Sequence, residues 1–443
     1  VARYVGRADL KEAKSILKEI LELIEGKYYE SPDPVQLFGD SFLHLEAATE
    51  NSFFKSQFSI RKAGLTELKK GIKIHRDQLE LWGNKTDILK AAESLSKLSK
   101  KAGLGAAWPA IELSYAIAES LDKYSYLLSP HQYKLLIDQF KGHYVGIGVE
   151  LMFEGEYPTI FDVLSQGPAD KGGVRPGDRL IRVGKRELKN KSAMGVSELL
   201  RGSQNSLLEI TVQRGEKELE FSLRRDLVSS PSVRYAHLLD KENRIGYLRI
   251  ANFDNDTATE LRGAIEKLKT SGAEGLLIDL RCNGGGIMQA AIDSVRLFID
   301  QGPIVTVQNG GEKTLYKAGG SMPSVKLPLG VLVDKKTASG AEIFTAALKY
   351  HHRAIVIGQK TMGKATVQTL YGLQSGPSGL CLTTAIYIPP SNQSINHEGI
   401  EPDISVENPY FKQKISLSMA DYLGEKDLAL QKGLDLLQHH KLY

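Results

Sequence analysis

The sequence predicts an α/β protein with a β-rich insertion and a helical N-terminal region, and three observations support this fold class. Apolar residues recur at three- and four-residue steps from Ala8 to about Phe140, which is the helical period. At Gly142 the pattern changes to short alternating segments broken by glycine, which continue to about Arg225. From Asn243 onward, strand-like and helix-like runs alternate, which favours a largely parallel sheet covered by helices.

These boundaries divide the chain into three regions. Residues 1–141 are helical and lead into the core, residues 142–227 form the β-rich module, and residues 228–443 form the α/β core with a C-terminal helix. We expect the charged helical faces of the first region to be solvated, although helices of this kind could equally carry contacts between copies of the chain. An adaptor protein is a further candidate partner, which the sequence does not assign to any region. The predicted core elements are strands 245–250, 275–280, 330–334 and 353–357, and helices 256–270, 287–299, 340–351 and 423–440.

The composition is that of an ordinary soluble globular protein of 443 residues, with 42% hydrophobic and 25% charged residues. Its 57 Lys and Arg residues against 53 Asp and Glu leave a net charge of +4 without a dense basic tract, which argues against nucleic-acid binding. The two cysteines, Cys282 and Cys381, have no metal-ligand spacing and cannot form a disulfide framework. We therefore expect neither a metal nor another cofactor.

The sequence begins at Val1 and shows no charged segment followed by an apolar one, so no signal peptide is present in it. We expect any leader to have been removed. No apolar run reaches the roughly 18 residues that a membrane-spanning helix needs.

Ser339 is the candidate nucleophile. It follows the apolar run 330–334 and precedes the helix-forming run 341–348, so it lies on a strand-to-helix turn. Free backbone N–H groups at a helix N-terminus, above all that of Gly340, can stabilise a developing oxyanion. The alternative is that Thr337 or Ser339 only caps the helix, which is the commoner role of such residues.

A second oxyanion donor is predicted in the triple glycine Gly284-Gly285-Gly286, which follows the strand 275–280. Glycines let backbone amides approach a substrate carbonyl closely. A tight turn without chemistry is the alternative. Phosphate binding is disfavoured, because no Gly-Lys-Ser or Gly-Lys-Thr follows.

Lys364 is the candidate base for the Ser339 hydroxyl, because a lysine can take a proton when burial lowers its pKa toward neutrality. If its segment is extended, Lys364, Thr366 and Gln368 share one face, and Gln368 could accept a hydrogen bond from the lysine. A straight strand would separate Lys364 from Gln368 by roughly 13 Å, so a bend at Gly363 or a bulge is required. An isolated lysine is usually a solvated surface residue.

Histidine offers no good alternative base. His351 and His352 end a predicted helix, His397 lies in a predicted loop, and the chain contains no Gly-x-Ser-x-Gly. A Ser/His/Asp triad therefore lacks support.

The β-rich module contains Gly146, Ile147, Gly148 and Val149, which have the form of a loop that binds a peptide's terminal carboxylate through backbone N–H groups. Residues 166–181 resemble the PDZ signature, with residues 197–200 on the groove helix. The alternative is a simple hairpin turn at Gly146 to Gly148.

Together these segments resemble the carboxyl-terminal processing peptidases, also called tail-specific proteases, from about Leu121 to Leu437. Six motifs occur in the family's order. They are residues 121–127, residues 246–250, Asp279-Leu280-Arg281 with Gly284-Gly285-Gly286, residues 337–342, residues 361–368, and Thr383-Thr384-Ala385 with residues 399–403.

The resemblance implies a ClpP/crotonase-like peptidase core with an inserted PDZ domain, acting as a serine endopeptidase on the C-terminal tails of proteins. It implies that Ser339 is the nucleophile, Lys364 the general base, and Gln368 the group that orients the lysine. The amides of Gly285 and Gly340 become the oxyanion donors, with Gly286 as an open alternative to Gly285. An extracytoplasmic location, in the bacterial periplasm or cell envelope, is also implied.

Two other functions remain open from the sequence. One is a non-catalytic PDZ adaptor or holdase with an inactive peptidase core, against which the presence of Ser339, Lys364 and Gln368 together argues. The other is a crotonase-like acyl enzyme, which also uses glycine amides around an oxyanion but would need neither a PDZ groove nor Ser339.

Overall fold

The structure is a computed structural model that describes residues 9–79, 85–320, 325–407 and 427–439. The chain divides into two compact units. One, the helical unit, comprises Val1–Lys134, Gln308–Glu312 and Thr366–Ile386. The other, the core unit, comprises Leu135–Val307, Lys313–Ala365 and Tyr387–Tyr443.

The N-terminal region is helical, as predicted. Asp9 caps the first helix by accepting the N–H of Glu12 at 2.7 Å, and Asp33 caps the second by accepting that of Val35 at 2.9 Å. The buried faces form one apolar cluster around Trp108, which is fully buried. The helices are α1 (Leu10–Lys27), α2 (Pro34–Glu50), α3 (Ser52–Ser56), α4 (Lys62–Asp77), α5 (Lys85–Ala102) and α6 (Trp108–Leu121).

The β-rich module contains a sheet in the order β3-β4-β5-β7-β8, with β3 at its edge. Strand β2 pairs with β9, and Ile147, Val149 and Leu151 pack with α9 residues in one apolar cluster. The elements up to and including this module are β1 (Tyr126–Leu128), α7 (Pro130–Phe140), β2 (His143–Gly146), β3 (Val149–Met152), β4 (Thr159–Val163), α8 (Pro168–Lys171), β5 (Arg179–Val183), β6 (Arg186–Glu187), α9 (Ala193–Leu200), β7 (Leu207–Arg214), β8 (Lys217–Arg224) and β9 (Asp226–Ser229).

The α/β core is built on a six-stranded sheet in the order β10-β11-β12-β15-β16-β19. All neighbouring pairs are parallel except β10 with β11. Every residue of β11, β12 and β15 is buried, as expected for central strands covered on both faces. The elements are β10 (Val233–Asp240), β11 (Ile245–Ile250), α10 (Thr257–Thr270), β12 (Gly275–Asp279), α11 (Met288–Val295), β13 (Gly302–Asn309), β14 (Glu312–Ala318), β15 (Leu329–Val333), α12 (Gly340–Tyr350), β16 (Ile355–Gly358), β17 (Thr366–Gly372), β18 (Gly379–Ile388), β19 (Ile404–Ser405) and α13 (Leu428–Gln438).

The predicted alternation of strands and helices in the core is confirmed, with two changes at helix ends. The helix predicted over 287–299 ends at Val295, because the next residues turn more tightly: Phe298 donates its N–H to the Val295 carbonyl three residues back. The helix predicted over 423–440 is observed from Leu428 to Gln438, and residues 423–426 and 440 lie outside the described residues.

Within the helical unit, β17 and β18 form an antiparallel pair, and β1 pairs with the other side of β18. A register shift falls between Val367 and Gln368. Among the described helices, none combines the length and apolar character needed to cross a membrane.

Candidate active site

Ser339 stands between β15 and α12 with its backbone at φ 54° and ψ −120°. A side-chain-bearing residue held in this region costs about 1–3 kcal/mol and persists only where the surroundings enforce it. Strained strand-to-helix turns expose the nucleophilic serine in enzymes of the α/β-hydrolase fold. The predicted turn is confirmed: Ser339 occupies the N-cap position of α12 and does so in a strained backbone conformation.

The glycine turn after β12 packs directly against Ser339. Gly285 and Gly286 have φ angles of 98° and 141°, which favour glycine. A Cβ built on Gly285 would lie 2.7 Å from the Cβ of Ser339, so a side chain at position 285 would collide with the candidate nucleophile. The fold therefore brings the predicted serine and the predicted glycine turn into contact.

The backbone N–H groups of Gly285, Gly286 and Gly340 differ in whether they have a hydrogen-bond acceptor within the described part of the protein. Gly285 donates its N–H to Oδ1 of Asn283 at 2.8 Å. Across the described residues, no acceptor receives the N–H of Gly286 or that of Gly340. A Cβ built on Gly340 would lie 3.6 Å from the Gly286 nitrogen, so these two donors are neighbours beside Ser339. The geometry thus favours Gly286 with Gly340 as an anion-binding pair.

Asn283 is a fully buried residue that the sequence analysis did not single out. Its Nδ2 donates to the Ile250 carbonyl at 2.8 Å, and its own carbonyl accepts the N–H of Ala338 at 2.9 Å. Asn283 therefore joins the glycine turn to the residue before Ser339.

Glu342, in the first turn of α12, links the segments that carry Ser339 and Lys364. Its carboxylate is fully buried, and its Oε2 accepts the backbone N–H groups of both Ser339 and Lys364, each at 2.9 Å. Its Oε1 accepts the Gly363 N–H at 2.7 Å and the Thr361 hydroxyl at 2.5 Å. The sequence analysis missed this residue, although the spacing Ser-x-x-Glu is that of a capping box.

The Tyr387 hydroxyl contacts the same two residues through their carbonyls. It lies 2.7 Å from the Lys364 carbonyl oxygen and 3.2 Å from that of Ser339. The predicted nucleophile and the predicted base are therefore joined through main-chain atoms by two different side chains.

The bend that the sequence required near Lys364 is present. Gly363 has φ 80°, and a Cβ there would lie 2.6 Å from the Gly399 nitrogen, so the chain turns at a position that only glycine fits. The register shift next to Gln368 supplies a bulge as well. Gln368 lies in the helical unit, where its Nε2 donates to the hydroxyls of Thr366 and Thr383 at 2.9 and 3.2 Å.

The four residues of the predicted carboxylate-binding loop lie at the start of the open edge of the module's sheet. Gly146 ends β2, Gly148 has φ 78°, and Val149 begins the edge strand β3. Ile147 is buried in the module's apolar cluster. Among the described strands, β3 pairs with β4 alone, and an edge strand of this kind can pair with an added peptide strand.

The same edge strand is tied to the α/β core by ion pairs. Glu150 of β3 meets Arg249 of β11 at 2.7 Å and Arg234 of β10 at 2.9 Å. Burial acts to raise the pKa of Glu150, but the two guanidinium groups outweigh it and hold that pKa below its ordinary value. In the following loop, Glu154 lies 2.7 Å from Lys336, which is three residues before Ser339.

Comparisons with known proteins match two segments of the chain to known families. Residues 244–406 match the model of peptidase family S41, and residues 160–214 match that of the PDZ domain. A "Probable CtpA-like serine protease" of Staphylococcus aureus (strain bovine RF122 / ET3-1) is 31% identical over 323 residues, which are 72% of this chain and 62% of the relative. Its namesake in Staphylococcus epidermidis (strain ATCC 35984) is 30% identical over 316 residues, which are 70% of this chain and 63% of the relative.

The chain thus spans about three fifths of the length of the curated relatives it matches. Among solved structures, the photosystem II D1 C-terminal processing protease is similar in fold, with a TM-score of 0.53 and 23% identity. That match covers 89% of this chain and 93% of the solved one. The resemblance to the carboxyl-terminal processing peptidases is therefore confirmed, and the chain carries a peptidase family S41 core with a PDZ domain.

Proposed function

We propose that this protein is a serine endopeptidase that takes up the C-terminal tails of protein substrates through its PDZ domain and cleaves them with Ser339 and Lys364. The observation that carries the proposal is the buried Glu342 carboxylate, whose Oε2 accepts the N–H groups of both residues. Two segments from different parts of the chain are thereby brought to one oxygen atom.

In the proposed reaction, Ser339 Oγ attacks the peptide carbonyl while neutral Lys364 takes its proton. The N–H groups of Gly286 and Gly340 hold the oxyanion, since the Gly285 N–H is bonded to Asn283. The protonated lysine then gives its proton to the leaving amine, and water hydrolyses the acyl-enzyme by the same route.

Gln368 keeps its proposed role as the group that orients the lysine. Its support is the pair of threonine hydroxyls, of Thr366 and Thr383, that receive its Nε2. With Nε2 directed at these hydroxyls, the carbonyl oxygen of the amide is the atom that could accept a hydrogen bond from Lys364.

For substrate uptake, we propose that Gly146, Ile147, Gly148 and Val149 receive the terminal carboxylate and that the tail pairs with β3. The support is the position of β3 at the edge of its sheet, directly after this loop. Matched peptides with a free and an amidated C-terminus test this point. We expect the amidated peptide to show a KM about 10-fold or more higher, because it lacks the charge that the loop amides bind.

The test of the reaction is Ser339→Ala, assayed on an unfolded protein with an apolar C-terminus and read by mass spectrometry of the products. Wild type is expected to cleave, and Ser339→Ala is expected to be inactive. Ser271→Ala, at an exposed serine, is the matched control. Full activity of Ser339→Ala would refute the assignment, while tail binding by a wild type that never cleaves would favour the adaptor function.

The location and assembly of the protein are also proposals. An extracytoplasmic location is supported by the resemblance to the processing peptidases, and fractionation of cells that make the full-length protein tests it.

The helical unit is the proposed surface for an adaptor or a second copy of the chain. Light scattering with and without residues 1–121 tests whether a second copy binds there.

A further inference from the structure

We infer that Tyr387 is a positioning residue that fixes the distance between the predicted base Lys364 and the predicted nucleophile Ser339 through their main chains. This inference rests on the proposed function, because it concerns the same reaction. Neither the sequence motifs nor the comparisons assign a role to this tyrosine.

The position of Tyr387 supports a specific role for its hydroxyl. The residue is 2% exposed, and its hydroxyl reaches the carbonyl oxygens of Lys364 and Ser339 at 2.7 and 3.2 Å. Its backbone N–H donates to the Ala365 carbonyl at 2.8 Å, which anchors the tyrosine beside the residue that follows Lys364. The backbone N–H and the hydroxyl of Tyr387 therefore bond to the carbonyl oxygens of two consecutive residues, Ala365 and Lys364.

Tyr387 and Glu342 hold complementary atoms of the same two residues. Glu342 accepts the N–H groups of Ser339 and Lys364, and Tyr387 faces their carbonyl groups. A residue whose N–H and C=O are both fixed has little freedom left in φ and ψ, which are its only soft backbone angles. The pair thus determines the direction in which the Lys364 side chain leaves the backbone.

The two contacts of the hydroxyl are unequal, and the difference predicts which partner depends on it. A phenol has a single proton, so the shorter contact to the Lys364 carbonyl is the principal hydrogen bond. The Ser339 carbonyl also accepts the N–H groups of Glu342 and Ile343 in the first turn of α12. Loss of the hydroxyl should therefore loosen Lys364 and leave the helix that starts at Ser339 in place.

The test is Tyr387→Phe, which keeps the ring and removes only the hydroxyl. We expect kcat to fall about 10- to 100-fold with KM within about twofold, because a small misplacement of the base slows proton transfer but not binding. We also expect the limb of the pH–kcat profile that reports the base to move to higher pH, since a loosened lysine gains water around its ammonium group. Replacing Tyr387 by para-aminophenylalanine restores a donor and should restore most of the rate.

Two features keep the test decisive. Titration of reactive Ser339 with a fluorophosphonate counts only competent molecules, so a partly unfolded Tyr387→Phe preparation still gives kcat per site. Tyr28→Phe is the control, because Tyr28 also donates its hydroxyl to a backbone carbonyl, that of Leu121 in the helical unit. It should leave both kcat and the pH profile unchanged.

The possible results separate this inference from the proposed function. If Tyr387→Phe keeps the wild-type kcat, or loses rate without a shift of the pH profile, while Ser339→Ala is inactive, the positioning role is overturned and the peptidase assignment stands. If Ser339→Ala is fully active, the peptidase assignment itself fails. A lower kcat with a shifted profile and rescue by para-aminophenylalanine would support the role of Tyr387.

Discussion

Arg249 and Glu150 form a two-pronged ion pair that joins the peptidase sheet to the PDZ domain. Nη2 of Arg249 lies 2.7 Å from Oε1 of Glu150, and Nη1 lies 3.1 Å from Oε2. The arginine is 1% exposed and its guanidinium stacks 5.0 Å from the ring centre of Phe161. The strand that we propose for tail capture is thus held to the core through a buried charge.

The first prediction concerns this pair. Glu150→Gln should lower the free energy of unfolding by about 3 kcal/mol at pH 7, because it leaves the buried charge of Arg249 without its principal counter-charge. Glu150 has a lowered pKa in the folded state, so its contribution is present above the ordinary value of 4.5 and is lost as the pH falls through the folded value.

Urea unfolding of wild type and Glu150→Gln at several pH values measures this effect. The two proteins should converge in stability as the solution becomes more acidic than about pH 4. Glu216→Gln, in an exposed turn of the same domain, is the control and should match wild type. A difference that persists unchanged in acid would contradict the assignment.

The second prediction concerns the glycine turn. Gly285→Ala should abolish peptidase activity, because its Cβ would lie 2.7 Å from the Cβ of Ser339 and 2.8 Å from the Gly340 nitrogen. Gly284→Ala is the matched control, since no atom lies within 4 Å of a Cβ at that position. Peptidase activity and fluorophosphonate labelling of Ser339 are measured for both variants. Equal activity of the two would show that the close packing of Gly285 against Ser339 is not needed for the reaction.

The third prediction concerns the base. Lys364→Arg should reduce kcat by about 1,000-fold or more, because a guanidinium stays protonated at every accessible pH and cannot accept the serine proton. Lys360→Arg changes an exposed lysine that pairs with Glu401 and should keep wild-type activity. Steady-state kinetics on one peptide compares them, and an active Lys364→Arg would exclude Lys364 as the base.

The fourth prediction concerns Glu112 of α6. Burial raises its pKa to about 7, and no hydrogen bond from the described residues reaches its buried Oε2. A raised carboxyl pKa means that the folded state binds the proton more tightly, so stability is lost as the pH rises from about 4.5 to 7. Glu112→Gln removes this ionisation and should stabilise the protein at pH 8 by about 2–3 kcal/mol.

Urea unfolding at pH 5 and pH 8 checks this fourth prediction. The gain from Glu112→Gln should be small at pH 5 and large at pH 8. Glu216→Gln, in an exposed turn of the PDZ domain, should show no such dependence. The same gain at both values would mean that the carboxyl of Glu112 does not ionise in this range.

The sequence was sufficient for features that depend on neighbours along the chain. Turns such as those at Ser339 and Gly284 to Gly286 follow from an apolar run that ends before a helix-forming or glycine-rich one. The bond from the Gly285 N–H to Asn283, on which our proposal of Gly286 as the oxyanion donor depends, could also have been predicted locally, because an Asn side chain often receives the N–H two residues on.

Other features could not be predicted because they join distant parts of the chain. Glu342 is recognisable as a cap for Ser339, but its bonds to Thr361, Gly363 and Lys364 depend on how β16 leads back to the helix. The contact of Tyr387 with Ser339 spans 48 positions. Periodicity reports which face of an element is buried and carries no information on which atoms of two elements will meet.

The hydrogen bonds that the side chains of Glu342 and Tyr387 make to residues 339 and 364 in the fold described here end on main-chain atoms. These four contacts therefore do not depend on which side chains positions 339 and 364 carry. A cysteine at position 339, or a different base at position 364, would be presented from the same two points in space. The side chains at positions 339 and 364 can therefore be replaced while the main-chain hydrogen bonds that position them are kept.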